Sequence, residues 1–86
     1  MIMNIDELVS VSWYFDAKEK KSVLLRVVWS DRVYKVKKIG LYHTFKNGDT
    51  LIHVFSVLAD NLFFRLEFNS FNLQWKLKEV SDGLPG

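Results

Sequence analysis

The sequence contains no cysteine, and this absence excludes a disulfide framework, a thiolate metal site and a cysteine nucleophile. Residues that interrupt regular structure are also scarce: there is one proline, and two of the four glycines lie in the last four residues. We therefore expect an ordered chain in which only the ends, residues 1–7 and 81–86, are loosely held.

Long apolar runs are missing as well. No stretch approaches the ~20 apolar residues that a membrane-spanning helix needs. The first residues carry Asp6 and Glu7 and no basic side chain, whereas a secretory signal begins with positive charge followed by an apolar run. These absences predict a cytoplasmic protein with no membrane partner.

Apolar and aromatic residues, by contrast, are abundant. Of the 86 residues 49% are apolar, and the rings comprise seven Phe, three Trp and three Tyr. A chain of this length is expected to form one domain, residues 1–86, that buries roughly 60–65% of its unfolded surface. Large rings make such a small core adequate, because each of them buries much area.

Residues 62–78 carry the clearest structural pattern. Apolar residues alternate with polar ones on both sides of a polar turn at residues 69–72. Alternation with a period of two places one set on a buried face and the other in water. The pattern predicts a β-hairpin with these inward side chains: Leu62, Phe64, Leu66, Phe68, Leu73, Trp75 and Leu77.

Shorter alternating stretches predict further strands at residues 8–15, 22–29, 32–41 and 51–58. Leu25 of the second strand and Leu41 of the third are assigned to the inward sets, and the phase of the fourth strand is left open. The phase slips at Lys37-Lys38, which predicts a β-bulge that Gly40 helps to bend. Asn47-Gly48 is a strong hairpin signal.

All the predicted connections are short, so neighbouring strands are expected to pair antiparallel. The predicted fold class is all-β, with about six antiparallel strands in a bent meander that forms a small barrel-like or half-closed sheet.

No group of residues has the spacing of a catalytic or metal site. Histidine is the residue type most often used for acid–base chemistry and as a metal ligand, but neither His43 nor His53 has a serine, a carboxylate or a second histidine at an interpretable spacing. The aspartates are scattered over predicted turns, where turn chemistry accounts for them. We therefore predict a non-enzymatic protein with no catalytic residue, no cofactor and no metal.

Outward positions of the predicted strands carry basic residues, interleaved with the rings of Tyr14, His53 and Phe63. Small β-barrels hold single-stranded nucleic acid in this way, because cations follow phosphates and rings stack on bases. A plain solvated face is the other interpretation, since Lys at sheet edges also opposes aggregation. The candidate residues for binding nucleic acid or a partner are Arg26, Lys35, Lys37, Arg65, Lys76 and Lys78.

Several apolar residues fall outside the predicted inward sets. Exposed together, they would form a patch larger than a monomer usually shows, and self-association or partner binding would follow. A fold that buries both faces of its sheet is the alternative, and it needs no partner. The residues are Leu24, Val28, Val33, Phe63 and Phe71.

A family pattern is also recognisable over residues 22–82. Its motifs are Trp29-x-x-Arg32-x-Tyr34-x-Val36, His53-x-Phe55-x-Val57, Phe64-Arg65-Leu66-x-Phe68 and Trp75-x-Leu77, followed by Asp82. Their order resembles a family of small uncharacterised prokaryotic all-β domains, in which a W-x-x-R-x-Y-x-V strand pair precedes a closing W-x-L strand. Relatives tend to carry glycine in the first turn, where this chain has Asp31. The resemblance implies a single compact β domain and supplies no activity or site.

Together these observations predict a protein-interaction module that binds another protein or associates with itself as a homo-oligomer. The alternative prediction is a module that binds single-stranded nucleic acid through the basic face of its sheet.

Overall fold

The computed structural model describes residues 1–83, which form six β-strands and no helix. Each strand pairs antiparallel with its neighbours in sequence, and the first also pairs with the sixth, so the sheet closes on itself as a ring. The predicted all-β fold with six antiparallel strands is confirmed. The strands are β1 (Ile2–Asp16), β2 (Lys21–Trp29), β3 (Arg32–Asn47), β4 (Thr50–Ala59), β5 (Leu62–Asn69) and β6 (Gln74–Ser81).

The N-terminal segment closes the ring. Residues 2–9 of β1 pair with β6, and residues 10–16 pair with β2. Of residues 1–7, which were expected to be loosely held, Ile2, Met3, Asn4 and Glu7 pair with β6. Of the tail expected to be loose, Ser81 belongs to β6, and residues 84–86 lie outside the described part.

The core fills the inside of the ring. Phe64 and Trp75, both predicted to point inward, are 1% and 6% exposed. Around them the rings of Trp29, Tyr34, Phe55 and Phe68 make edge-to-face and tilted contacts, which add to the energy of area burial. The buried cluster comprises Leu24, Val27, Tyr34, Phe55, Val57, Ala59, Phe64, Leu66, Trp75, Leu77 and Val80.

Bulges change which side chains point inward. Ser12 pairs with Arg26 and Trp13 with Leu24, so Leu25 has no opposite residue on β1. One extra residue reverses the phase of a strand. Leu24 is therefore buried and Leu25 is 43% exposed, the reverse of the sequence prediction.

The third strand contains two such irregularities. The bulge predicted at Lys37-Lys38 is confirmed by a shift of register between Val36 and Lys38. A second shift, between Ile39 and Leu41, was not predicted. It turns Leu41 outward, where it is 70% exposed, and brings Tyr42 opposite Phe55.

On β4 both phases are buried, which explains why its pattern was ambiguous. Phe55, Val57 and Ala59 belong to the core cluster, while Ile52 and Val54 are buried with the opposite phase. A strand that is buried on both faces has apolar residues in both alternating sets, so the sequence does not show which set points inward.

Turn conformation accounts for several other positions. Gly48 has φ of 62° in the predicted Asn47-Gly48 hairpin, a conformation that glycine adopts without strain. Ser30 and Asp31 also have positive φ, so Asp31 occupies a position where glycine would fit more easily. Leu73 lies in the turn before β6 with φ of 62° and is 69% exposed, so its predicted inward position is wrong.

Candidate functional site

The ring has an opening between β2 and β3. These strands pair through residues 26–29 of β2 and 32–35 of β3. Beyond that point, residues 21–24 of β2 pair with β1, and β3 pairs with β4 from Val36 to Asn47 except at its two bulges. Within residues 1–83, the facing edges of β2 and β3 have no strand partner here. We call residues 21–25 and 36–42 the β2–β3 seam.

Bulges in β3 explain why the pairing stops. The first register shift lies directly after Lys35, the last residue that pairs with β2, and the second lies three residues further along β3. A β-bulge bends its strand and increases the local twist. As a result β3 stays paired with β4 and separates from β2, although β2 and β3 both continue for several residues.

A groove of about 690 Å³ lies at the seam. Its apolar lining includes Leu24, Val36, Ile39 and Phe55, which belong to the core or pack against it. Two further rings line the groove and remain accessible, because Phe15 is 59% and Tyr42 is 52% exposed. The groove therefore joins the solvent to the apolar interior.

The polar part of the lining is positively charged. Lys20, Lys21, Lys37 and Lys38 line the groove, and none of them forms an ion pair within the described chain. The lining contains no aspartate or glutamate among residues 1–83. A cleft lined by charges of one sign concentrates its field and attracts the opposite charge.

The β1–β2 turn holds two of these lysines in place. The Asp16 carboxylate oxygen Oδ1 accepts hydrogen bonds from the backbone N–H groups of Lys18 and Glu19, at 3.0 and 3.1 Å. Aspartate organises turns in this way. The turn thus leads Lys20 and Lys21 to one end of the groove.

The six basic residues predicted from the sequence fall into two groups. Arg26 and Lys35 lie opposite each other at the closed end of the seam, and Lys37 lines the groove. The other three are on β5 and β6, which do not pair with β2 or β3. A single basic face is therefore not formed.

Each cation in the group on β5 and β6 lies beside a carboxylate, and Lys76 and Lys78 share one. Arg65 Nη2 lies 3.2 Å from Glu79 Oε1, and Lys78 Nζ lies 2.8 Å from Asp6 Oδ1. Lys76 Nζ is 3.7 Å from the same Asp6 oxygen. These cations stabilise the surface of the sheet and are poorly placed to attract an anion.

The hydrogen bond from Lys78 and the charges of Lys76 and Lys78 lower the pKa of Asp6. The same hydrogen bond raises the pKa of Lys78. A carboxyl with a lowered folded-state pKa stabilises the fold above its unfolded pKa, and this contribution disappears as the pH falls through the folded value.

Replacing Asp6 with asparagine is expected to lower the free energy of unfolding near neutral pH. Asparagine accepts the φ of 60° at this position, so the change removes mainly the ion pairs. The difference from the wild type should shrink as the pH falls below about 3.8, the ordinary pKa of the group, and vanish below the lowered pKa of the folded state. Urea unfolding at a series of pH values measures it.

Asp49→Asn provides the matched control, because Asp49 forms no ion pair among residues 1–83 and should change stability little at any pH. An Asp6→Asn deficit of the same size at neutral pH and near pH 2 would assign the effect to the backbone and contradict the electrostatic explanation.

A chain of rings extends from the groove. The Tyr42 hydroxyl and His53 Nδ1 are 2.6 Å apart and share a hydrogen bond, and the His53 ring also lies near Phe68. His53 is half-buried in this chain of rings, whereas Tyr14 and Phe63, which were also predicted to point outward, are each 49% exposed. Among residues 1–83, no three histidine or carboxylate side chains are grouped so that they could hold a metal ion.

The apolar residues outside the predicted core do not share one patch. Leu24 is buried, while Val28 and Val33 pair with each other across β2 and β3. Phe63 is at the start of β5, and Phe71 is in the turn after it, 84% exposed. Of these five residues Leu24 is buried, and the other four are exposed at three places: the Val28–Val33 pair, Phe63 and Phe71.

Sequence reasoning missed Lys20, Lys21 and Lys38 as site residues. Two lysine pairs, Lys20-Lys21 and Lys37-Lys38, were visible as a signal. Their proximity depends on where β2 and β3 separate, and this is a property of the folded sheet.

Within residues 1–83, the structure has no helix that could cross a membrane. Comparisons with protein families, curated proteins and solved structures find no match to this chain. The family resemblance noted above therefore stays a prediction, and a function must be argued from the seam itself.

Proposed function

We propose that this protein is a non-enzymatic protein-interaction module that binds an extended segment of another polypeptide in the β2–β3 seam. The observation that supports the proposal is the pair of facing strand edges that have no strand partner among residues 1–83. An unpaired edge is a template for another strand, and several peptide-binding domains add their ligand to a sheet in this way.

The dimensions of the seam suit a short strand. Its β2 edge comprises residues 21–25, and its β3 edge comprises residues 36–42. A strand rises about 3.3 Å per residue, and strands of five or six residues are the commonest in proteins. A bound segment of that length can form backbone hydrogen bonds with both edges. Its inward side chains then contact the apolar lining of the groove.

Selection of peptides tests this proposal. A displayed library of random peptides, each about ten residues long, is panned against the whole protein, and enriched sequences are synthesised. We expect their binding to slow amide hydrogen exchange at residues 21–25 and 36–42. Exchange in the β5–β6 turn should stay unchanged.

Backbone N-methylation of the selected peptides is the matched control. Methyl groups on alternate amides along one edge remove strand hydrogen bonds and leave the side chains intact, so binding should weaken by about tenfold or more. Failure to enrich any peptide, protection elsewhere on the molecule, or equal binding of the methylated peptides would contradict strand addition.

Binding of single-stranded nucleic acid is the second candidate. It is favoured by the accessible rings of Phe15 and Tyr42 beside four lysines that have no carboxylate partner among residues 1–83. It ranks second because three of the six predicted cations are paired with carboxylates on other strands, and phosphates make no use of the unpaired strand edges.

A further inference from the structure

Building on the proposed function, we infer that the segment bound in the seam is acidic, with aspartate or glutamate at every second position and apolar residues between them. A strand in the seam would meet two different environments, and together these determine the sequence of the partner that the site binds. Successive side chains of a strand point to opposite faces of the sheet, so each environment selects alternate residues.

The inner environment is apolar. A strand between β2 and β3 turns one set of side chains towards Leu24, Val36, Ile39 and Phe55. Leu24 and Phe55 are 3% and 6% exposed, so a side chain at this depth leaves water. A charge without a partner is costly to bury there, and the inner positions therefore require apolar residues.

The outer environment is cationic. Lys20 and Lys21 approach from one side of the groove, and Lys37 and Lys38 approach from the other. None of the four is neutralised by a carboxylate within residues 1–83. Complementary charges attract a partner and like charges exclude one, so outer positions favour Asp or Glu and disfavour Lys or Arg.

The same lysines argue against a second copy of this chain as the occupant. Two seams that paired edge to edge would bring the lysine pairs of both copies together. Like charges that lie opposite each other across strands are destabilising. Lysine at an open edge is one of the ways in which proteins prevent such self-pairing.

Fluorescence anisotropy with labelled probes of about ten residues tests the inference. The first probe alternates Glu and Val, and the second has the same composition with the residues grouped in pairs. The third alternates Lys and Val, and the fourth is an oligothymidylate. We expect the first probe to bind. The second and third probes should bind at least about tenfold more weakly.

Charge reversal in the protein provides the second arm. Lys37→Glu and Lys38→Glu should each lower the affinity for the Glu-Val probe by about tenfold and raise the affinity for the Lys-Val probe. Both side chains are exposed, so the variants are expected to fold, and circular dichroism checks this. Lys46→Glu is the control, because Lys46 is also exposed on β3 but lies outside the groove.

The outcomes separate the inference from the proposed function. Equal binding of the Glu-Val and Lys-Val probes, or selected peptides that protect the seam without acidic residues, would overturn the inference and leave strand addition standing. Tightest binding by oligothymidylate, lost in Lys37→Glu, would overturn it in favour of nucleic acid. Failure of every probe and of every displayed peptide would overturn the proposed function itself.

Discussion

Replacing Phe64 with alanine is expected to lower the free energy of unfolding by about 3–5 kcal/mol. Phe64 is 1% exposed, and its ring lies 5.0 Å from that of Tyr34 and 6.0 Å from that of Trp29. The change removes a ring that joins β5 to β2 and β3 through the centre of the core, and it leaves a cavity there. Urea unfolding measures the loss.

Phe71→Ala is the control for this prediction. It deletes the same atoms at a position that is 84% exposed, so its effect should stay within about 0.5 kcal/mol. A domain of this size has a stability of only about 5–10 kcal/mol. Phe64→Leu, which keeps most of the apolar volume, should therefore be measured as well, with an expected loss of about 1–2 kcal/mol. Equal losses at Phe64 and Phe71 would contradict the described core.

Trp75→Ala is expected to cost a similar amount, about 3–5 kcal/mol. The indole is 6% exposed and lies 5.7 Å from the Trp13 ring, 5.4 Å from Phe55 and 4.9 Å from Phe68. These contacts hold β1, β4 and β5 against β6, so the substitution removes packing from four strands at once.

Trp75→Phe separates packing from hydrogen bonding at this position. Trp75 Nε1 is buried and donates to no acceptor in the described part of the chain. Phenylalanine removes that unpartnered donor and keeps an aromatic ring, so it should cost less than half as much as alanine. A loss as large as that of alanine would show that the N–H group is in fact satisfied. The midpoints of urea unfolding for both variants decide this.

Trp13→Ala completes the comparison, because Trp13 is 39% exposed and should contribute less than Trp75. The double variant measures their coupling, which we expect to be about 0.5–1.5 kcal/mol for an edge-to-face pair. Additive losses would contradict a direct contact between β1 and β6 at this point.

Local signals predicted much of the fold. The hairpin of β5 and β6 was readable because alternation has a period of two, and because Asn69 organises its own turn by accepting hydrogen bonds from the N–H groups of Phe71 and Asn72. The turn at Asn47-Gly48 was found because it depends on residues adjacent in sequence, and the bulge at Lys37-Lys38 was found because the alternation itself changes phase there.

Errors in the inward sets have one physical cause. Leu25 and Leu41 were assigned inward because the alternation was continued through positions where the sheet has a bulge. These two bulges depend on the opposite strand as well as on their own, so the residue types around Leu25 and Leu41 do not mark them. The candidate site was affected in the same way: Lys37 was found, whereas Lys20, Lys21 and Lys38 were not.

By itself, then, the sequence determined the approximate positions of the strands, their antiparallel order and the part of the core that the β5–β6 hairpin supplies, because these follow from alternation and turn chemistry over a few residues. Tertiary structure alone decided the closure of β1 on β6, the pairing of Asp6 with Lys78 and the separation of β2 from β3. Asp6 and Lys78 are 72 residues apart in sequence. Contacts over such a distance depend on the twist and register of the whole ring, and the groove exists only because that register fails to bring two strand edges together.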